Sequence, residues 1–123
     1  MTDIIDVTEI KKILQDFAFA RDWNKFHNPK NLSMALACET GELLEIFQWL
    51  TQAESSAACN DTNYRERTAH ELADIIIYAI RLADLMNINL NQAIRDKIEI
   101  NNVKYPADLV RGSLEMYDEY HTD

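Results

Sequence analysis

Two short acidic groups, each inside a long stretch whose apolar residues recur at helical spacing, constrain this chain more than any other feature. The first is Glu39-Thr40-Gly41-Glu42 and the second is Glu71-Leu72-Ala73-Asp74. Residues three apart on an α-helix lie one above the other on one face, so each group presents two carboxylates side by side. Because apolar residues surround both groups, the two faces are predicted to meet and form one pocket of four carboxylates.

The carboxylates of this pocket need a counterion. Packed within roughly 4 to 6 Å of one another, they repel by several kcal/mol per pair at an effective dielectric constant near 20. Such a cluster binds a cation or takes up protons. Oxygen ligands without histidine or thiolate select a hard ion, which at cytoplasmic concentrations means Mg²⁺ before Mn²⁺ or Ca²⁺. The predicted Mg²⁺ ligands are Glu39, Glu42, Glu71 and Asp74.

Composition and charge set the outer bounds on the fold and its partners. With 123 residues, 47% of them apolar, and only two Gly and two Pro, the chain is predicted to be mostly helical. A net charge of −9 argues against nucleic acid or an anionic membrane as partner, since both require a basic surface. Two cysteines are too few for a disulfide framework, and the acidic start lacks the basic segment of a signal peptide. A cytoplasmic location is therefore predicted.

Hydrophobic periodicity and turn residues predict four helices. Their bounds, in chain order, are Asp6 to about Trp23, Leu32 to about Leu50, Asn63 to about Met86, and Leu90 to Lys104. Caps are predicted at Asn31 and Asn89, with capping boxes at Asp6-Val7-Thr8-Glu9 and at Asn63 with Glu66. The stretch from Thr51 to Thr62 is rich in Ser, Ala and Asn without a period, which predicts a mobile loop and a candidate lid.

The third predicted helix is apolar on more than one face. In so small a chain, a helix buried on two sides implies a partner subunit, so a homo-oligomer is predicted, either a dimer or a tetramer. The predicted fold is all-α and four-helix-bundle-like. It occupies one domain over residues 1–114, followed by a polar C-terminal tail over residues 115–123.

The order and spacing of these motifs resemble a known family. ExxE followed after 28 residues by ExxD resembles the all-α nucleoside triphosphate pyrophosphatases of the MazG-like superfamily. Further stretches, between about residues 17 and 114, resemble the dCTP pyrophosphatase branch: Arg21-Asp22-Trp23, Phe26 to Leu32, Glu45 to Trp49, Lys97 to Asn101, Lys104-Tyr105-Pro106 and Arg111-Gly112-Ser113. One departure is Cys38, which stands where many members of the superfamily carry a glutamate.

The resemblance implies a reaction and a set of binding residues. It implies a MazG-type fold that hydrolyses a nucleoside triphosphate, such as dCTP or a modified dCTP, to the monophosphate and pyrophosphate with Mg²⁺. Such an enzyme would clean the nucleotide pool. By matching positions, Lys97 is expected to bind phosphate, and the nucleoside is expected to contact Trp23, Trp49, Tyr78 and Asn101.

Helical geometry bears on two of these residues and on the chemistry. Trp49 lies seven residues past Glu42 and Tyr78 seven past Glu71, so each is expected on the metal face, two turns away. If the second and third predicted helices are antiparallel neighbours, Trp49 and Tyr78 fall on opposite sides of the carboxylates, each about 10 Å along the axis from its own acidic group. A base pocket that uses both aromatic side chains would then need a second subunit. A carboxylate not fully committed to the metal would accept the proton of the attacking water, and the sequence leaves Glu39 and Glu45 as candidates.

Two other classes of protein place acids on helices. A di-iron or di-manganese bundle requires Glu-x-x-His, and this motif is absent because the residues three before the histidines are Asn24, Arg67 and Asp118. A non-catalytic helical interaction module, in which the acids are solvated, stays open as the alternative function.

Overall fold

The computed structural model describes residues 2–113, and these residues form helices and turns without a strand. The all-α class is therefore confirmed, while the predicted tail over residues 115–123 lies outside the described residues. The α-helices of the described part are α1 (Thr8–Ala20), α2 (Pro29–Phe47), α3 (Gln52–Ala57), α4 (Thr62–Leu85), α5 (Leu90–Lys104) and α6 (Ala107–Val110). None of the helices within residues 2–113 is long and apolar enough to cross a membrane.

The described residues divide into two compact units. The first covers residues 7–88 and holds α1 to α4, and the second combines residues 2–6 with residues 89–113. The single domain over residues 1–114 and the four-helix-bundle arrangement both stay predictions.

In the first unit, α4 is the central helix, and both α1 and α2 pack on it. Phe47 at the end of α2 stacks on Tyr64 near the start of α4, with ring centroids 6.2 Å apart, so these two helices run antiparallel. The buried apolar side chains of the described part are Ala18, Leu32, Ile46, Ala58, Ile80 and Ala83. Leu32 and Ile46 are fourteen residues apart on one face of α2, and Glu39 lies midway between them. The sequence pattern therefore places a carboxylate on the packing face.

Local hydrogen bonds at the helix starts differ from three of the predicted caps. Helix α1 begins at Thr8 with Val7 at its N-cap, so the predicted cap at Asp6 is one residue early. Helix α2 begins at Pro29, because the Asn28 side chain accepts a hydrogen bond from the Asn31 amide and proline is favourable at the first helical position. Helix α4 is capped in the same way by Asp61, which accepts from the Tyr64 amide.

The prediction of a mobile loop from Thr51 to Thr62 is wrong. This stretch holds α3 and a 3₁₀ turn, Ala58–Asn60. The Thr51 hydroxyl accepts from the Glu54 amide, and the Glu54 carboxylate accepts from the Thr51 amide. This reciprocal capping box starts a helix in a segment whose composition alone suggests a loop.

The second unit is built around α5, whose predicted bounds and Asn89 cap are confirmed. Asn91 on α5 binds the segment before α1: its side-chain oxygen accepts from the Ile4 amide at 2.8 Å, and its amide nitrogen donates to Asp3 at 3.1 Å. Lys97 and Asn101, the predicted ligands of phosphate and nucleoside, are four residues apart and exposed on α5.

The C-terminal end of α1 requires a left-handed residue. Asp22 has a φ of 55°, the Trp23 amide donates to the Ala18 carbonyl, and the Asp22 amide donates to the Phe19 carbonyl. This is the Schellman arrangement, which normally has glycine at the left-handed position. Asn87 closes α4 with the same two bonds and a φ of 54°.

We predict that Asp22→Gly raises the free energy of unfolding by about 0.5 to 1 kcal/mol. Glycine removes the steric cost of the positive φ, and the change also removes a negative charge from a helix C-terminus. The exposed contact of Asp22 with Lys25 contributes little. Urea unfolding of the two proteins measures the difference, and Asp22→Val, which cannot adopt this conformation easily, is expected to be less stable than both.

Candidate metal centre

The packing of α2 against α4 brings three of the four predicted metal ligands together. Each of Glu39, Glu42 and Glu71 has a carboxylate oxygen within 4.8 Å of the corresponding oxygens of the other two. Asp74 lies outside this closest group, although its charge acts on Glu39. Glu39, Glu71 and Asp74 are half-buried, whereas Glu42 is exposed. The antiparallel helices thus focus negative charge at one place on their interface.

Two carboxylate oxygens of this cluster lack the partners that buried oxygens normally have. The Oε2 atoms of Glu39 and Glu71 are buried without a hydrogen-bond partner. Burial raises the pKa of Glu39 to about 7, with further contributions from side-chain contacts with Glu71 and Glu42 and from the negative charges of Glu42 and Asp74. A hard cation would satisfy these orphaned oxygens and remove the repulsion, so the residues present fit an all-oxygen metal site.

Tyr78 lies on the same side of α4 as the cluster. Burial is the main cause that raises its pKa, and the charges of Glu39 and Asp74 raise it further, followed by those of Cys38 and Glu42. The phenol is therefore held in its neutral form beside the acids, where its hydroxyl is able to donate a hydrogen bond.

A cavity of about 530 Å³ opens beside the cluster, towards the start of α4. Its lining includes the exposed Glu45, together with Glu42 and Glu71 of the cluster. Arg67 and His70 also line the cavity, and the sequence analysis assigned them no role. The sequence could have indicated that both residues lie near the cluster. Arg67 is four residues before Glu71 on the same helix face, and His70 directly precedes Glu71.

The two tryptophans occupy different surroundings. Helix α2 ends at Phe47, so Trp49 lies two residues beyond the helix, and its expected place on the metal face stays a prediction. Its side chain is 87% exposed. Trp23 follows α1 and is 43% exposed, and its ring makes edge-on contacts with Phe17 at 5.6 Å and with His27 at 6.5 Å between centroids.

A second polar cluster, which sequence reasoning missed, lies further along α4. Arg81 is buried and donates hydrogen bonds to His27, Asn24 and Asp84. Burial and the positive charge of Arg81 lower the pKa of His27. The only signal in the sequence is a single cation directly after the apolar run that ends at Ile80.

The fold and the site define an all-α protein in which two antiparallel helices present a carboxylate cluster suited to a hard cation. Comparison with known proteins gives the family: the MazG-like family model matches residues 34–119. The chain belongs to the MazG-like family, and the resemblance seen in the sequence is confirmed.

Individual relatives agree with this assignment. The chain is 40% identical over 111 residues to dCTP pyrophosphatase 1 of Homo sapiens and 39% identical to that of Bos taurus. The match with the human protein covers 90% of this chain but spans only 65% of the relative's length. Among solved structures, a pyrophosphatase from Archaeoglobus fulgidus superposes with a TM-score of 0.76 at 35% identity, covering 86% of this chain and 97% of the other.

The raised pKa of Glu39 predicts how pH affects the metal-free protein. A carboxyl whose pKa is about 7 when folded and 4.5 when unfolded favours the folded state below pH 4.5, and this advantage is lost as pH rises through 7. In EDTA, the wild type should therefore lose stability relative to Glu39→Gln between these pH values. We expect a relative loss of about 1 to 2 kcal/mol, since solvent screening reduces the full value of the shift.

Parallel urea titrations of both proteins at pH 4.5, 6 and 8 measure this difference. Titrating groups outside the cluster, including His27, are common to both proteins and cancel. A difference that does not vary with pH would contradict the electrostatic description of the cluster.

Proposed function

We propose that this protein is a Mg²⁺-dependent nucleoside triphosphate pyrophosphohydrolase that converts dCTP, or a modified dCTP, to the monophosphate and pyrophosphate. The observation that carries the proposal is the cluster of Glu39, Glu42 and Glu71, with two buried, unpartnered oxygens, in a member of the MazG-like family. The choice of substrate is supported by the relatives, which are named dCTP pyrophosphatase.

Glu39, Glu42 and Glu71 would hold the metal, and Asp74 would complete the set from the next turn of α4. Glutamate and aspartate oxygens are ligands that Mg²⁺ accepts. When bound, Mg²⁺ would neutralise the negative charge that develops on the phosphate oxygens. The buried Oε2 atoms of Glu39 and Glu71 point to full commitment of these two residues to the metal.

Of the two candidates for the general base, we propose Glu45. It lies one turn past Glu42 on α2 and is exposed to the cavity beside the cluster, where water has access. Its carboxylate would accept a proton from the water that attacks the α-phosphorus. The bond between the α-phosphorus and the oxygen that bridges to the β-phosphate would break, and pyrophosphate would leave. Glu39 is less suited, because its buried oxygen faces the other acids.

The remaining binding roles follow the family resemblance. Tyr78 would contact the nucleoside from α4, and Trp23 would do so from the segment after α1. Lys97 would bind phosphate as a point charge, and Asn101 would present an amide to the base edge. The exposed thiols of Cys38 and Cys59 are consistent with a reducing compartment, and we propose the cytoplasm.

The direct test is to incubate the purified protein with dCTP and separate the products by ion exchange. The proposal expects dCMP and pyrophosphate in equal amounts, with Mg²⁺ present and not in EDTA. Release of dCDP and inorganic phosphate would contradict the bond assignment, and the absence of any product across the ordinary and methylated nucleotides would leave the non-catalytic alternative.

Two substitutions separate metal binding from proton transfer. Glu42→Gln should lose both Mg²⁺ binding and activity, because it removes one of three converging ligands. Glu45→Gln should keep Mg²⁺ binding and lower kcat by about 10²- to 10⁴-fold, the usual contribution of a general base. Calorimetric titration with Mg²⁺ and steady-state kinetics on the same preparations measure both. A Glu45→Gln enzyme with wild-type kcat would contradict the assignment of Glu45 as the general base.

We further propose that the protein works as a homo-oligomer. Ile80 and Ala83 are buried on α4, whereas Leu72 and Ile76, which continue the same stripe at four-residue spacing, are 46% and 51% exposed. Large apolar side chains in a continuous row favour coverage by a second copy. Sedimentation equilibrium should give a dimer or tetramer at micromolar concentration, and Ile76→Glu should weaken it. A monomeric, active wild type would contradict the proposal.

Trp49 is proposed to contact the base, from the same or a neighbouring subunit. Because its side chain is 87% exposed, Trp49→Ala should leave the melting temperature nearly unchanged. Loss of a stacked base should raise KM by roughly 5- to 150-fold, corresponding to about 1 to 3 kcal/mol. Mg²⁺ affinity serves as the control and should not change. An unaltered KM would remove Trp49 from the base pocket.

A further inference from the structure

Arg81 is buried among polar partners in a way that an ordinary helix cation is not. Only 7% of its surface is exposed. Its Nε atom donates to His27 Nδ1 at 3.1 Å, one terminal nitrogen donates to Asn24 Oδ1 at 2.8 Å, and the other donates to Asp84 Oδ2 at 3.3 Å. Arginine is rarely buried unless its charge is paired and its donors are used, and here all three nitrogens are used.

Two of these three bonds hold the segment between α1 and α2. Asn24 is the first residue of the 3₁₀ turn Asn24–Phe26, and Trp23 and His27 flank this turn. The rings of Trp23 and His27 are in edge-on contact, so the arginine holds the indole through its neighbours. The third bond, to Asp84, balances the charge and connects to α1, because Gln15 donates to the same Asp84 oxygen at 2.8 Å.

The position of Arg81 on α4 relates this segment to the carboxylates. Asp74, Tyr78 and Arg81 follow one another at intervals of four and three residues and therefore share one face of the helix. At 1.5 Å per residue, Arg81 lies about 10 Å along the axis from Asp74, with Tyr78 between them. The aromatic groups able to stack on a base, Tyr78 and Trp23, thus lie towards the Arg81 end, and the open cavity lies towards the other end.

We propose that Arg81 is a positioning residue for the nucleoside: it holds the Trp23–His27 segment at a fixed place along α4, so that Trp23 is ready to receive the base. The inference rests on the proposed function. Because an arginine nitrogen only donates, His27 Nδ1 must accept, and the ring proton lies on Nε2. Arg81 therefore fixes the tautomer of His27 as well as its place.

Three variants separate the positioning role from a role in stability alone. Asn24→Ala removes one anchor of the segment but keeps the Arg81 charge and its Asp84 partner, and Asn24 itself is exposed. Arg81→Lys keeps the positive charge near Asp84 but lacks the guanidinium fork that reaches Asn24 and His27 together. Gln15→Ala is the matched control, since it removes a bond to Asp84 from the α1 side and leaves both anchors of the segment in place.

Two measurements are made on each variant. Acrylamide quenching of Trp23 fluorescence, in a Trp49→Phe background without nucleotide, reports whether the segment is held. Steady-state kinetics of each variant in the otherwise unaltered chain report the effect on KM and kcat for dCTP. We expect Asn24→Ala and Arg81→Lys to make Trp23 more accessible and to raise KM for dCTP by about 10-fold, the value of one hydrogen bond to a charged group, with kcat within about twofold. Gln15→Ala should change neither, although its melting temperature falls.

The opposite results overturn the proposal. If quenching is unchanged in Asn24→Ala and Arg81→Lys, Arg81 does not hold the segment. If quenching rises while KM stays at the wild-type value, the segment is held but does not position the nucleoside. Failure of the proposed function is distinguishable, because a wild type that hydrolyses no nucleotide would still give the quenching result.

Discussion

Repulsion between carboxylates at the interface of α2 and α4 is the constraint on which the rest of the structure depends. Glu39 lies midway between the buried Leu32 and Ile46, so the face that forms the core also carries the charge. Apolar contacts on either side hold the helices together against this repulsion. Any cation that binds the folded cluster and not the unfolded chain adds its binding free energy to stability. Packing and metal binding are therefore coupled through the same pair of helices.

The polar groups of this region are arranged in order along α4. Glu71 and Asp74 occupy the middle of the helix, Tyr78 follows one turn later, and the buried Arg81 network comes last. The neutral Tyr78 separates the negative cluster from the positive arginine. Because one continuous helix carries all of these groups, their axial spacing is fixed by helix geometry rather than by a loop.

The sequence predicts those features that depend on one helix alone. The bounds of α5 follow from Asn89 and Pro106, and the pairing of carboxylates follows from three-residue spacing. Competing caps are harder to separate: Asn28 and Asn31 are both good N-caps, and the proline at the first helical position decides between them. The Ser- and Ala-rich composition predicted a loop where the structure has α3, although Thr51 and Glu54 have capping-box spacing in the sequence.

Features that depend on contacts between distant segments are not predictable from periodicity. Trp49 falls two residues beyond the end of α2, where helical periodicity no longer fixes the direction of a side chain. Arg81 gives the converse case, because its partners Asn24 and His27 are more than fifty residues away in the chain. A buried cation with distant partners has no sequence period, yet it fixes a loop beside the site. Periodicity thus finds the carboxylates suited to the metal and Tyr78 beside them, and it misses the distant contacts that hold the segment of Trp23.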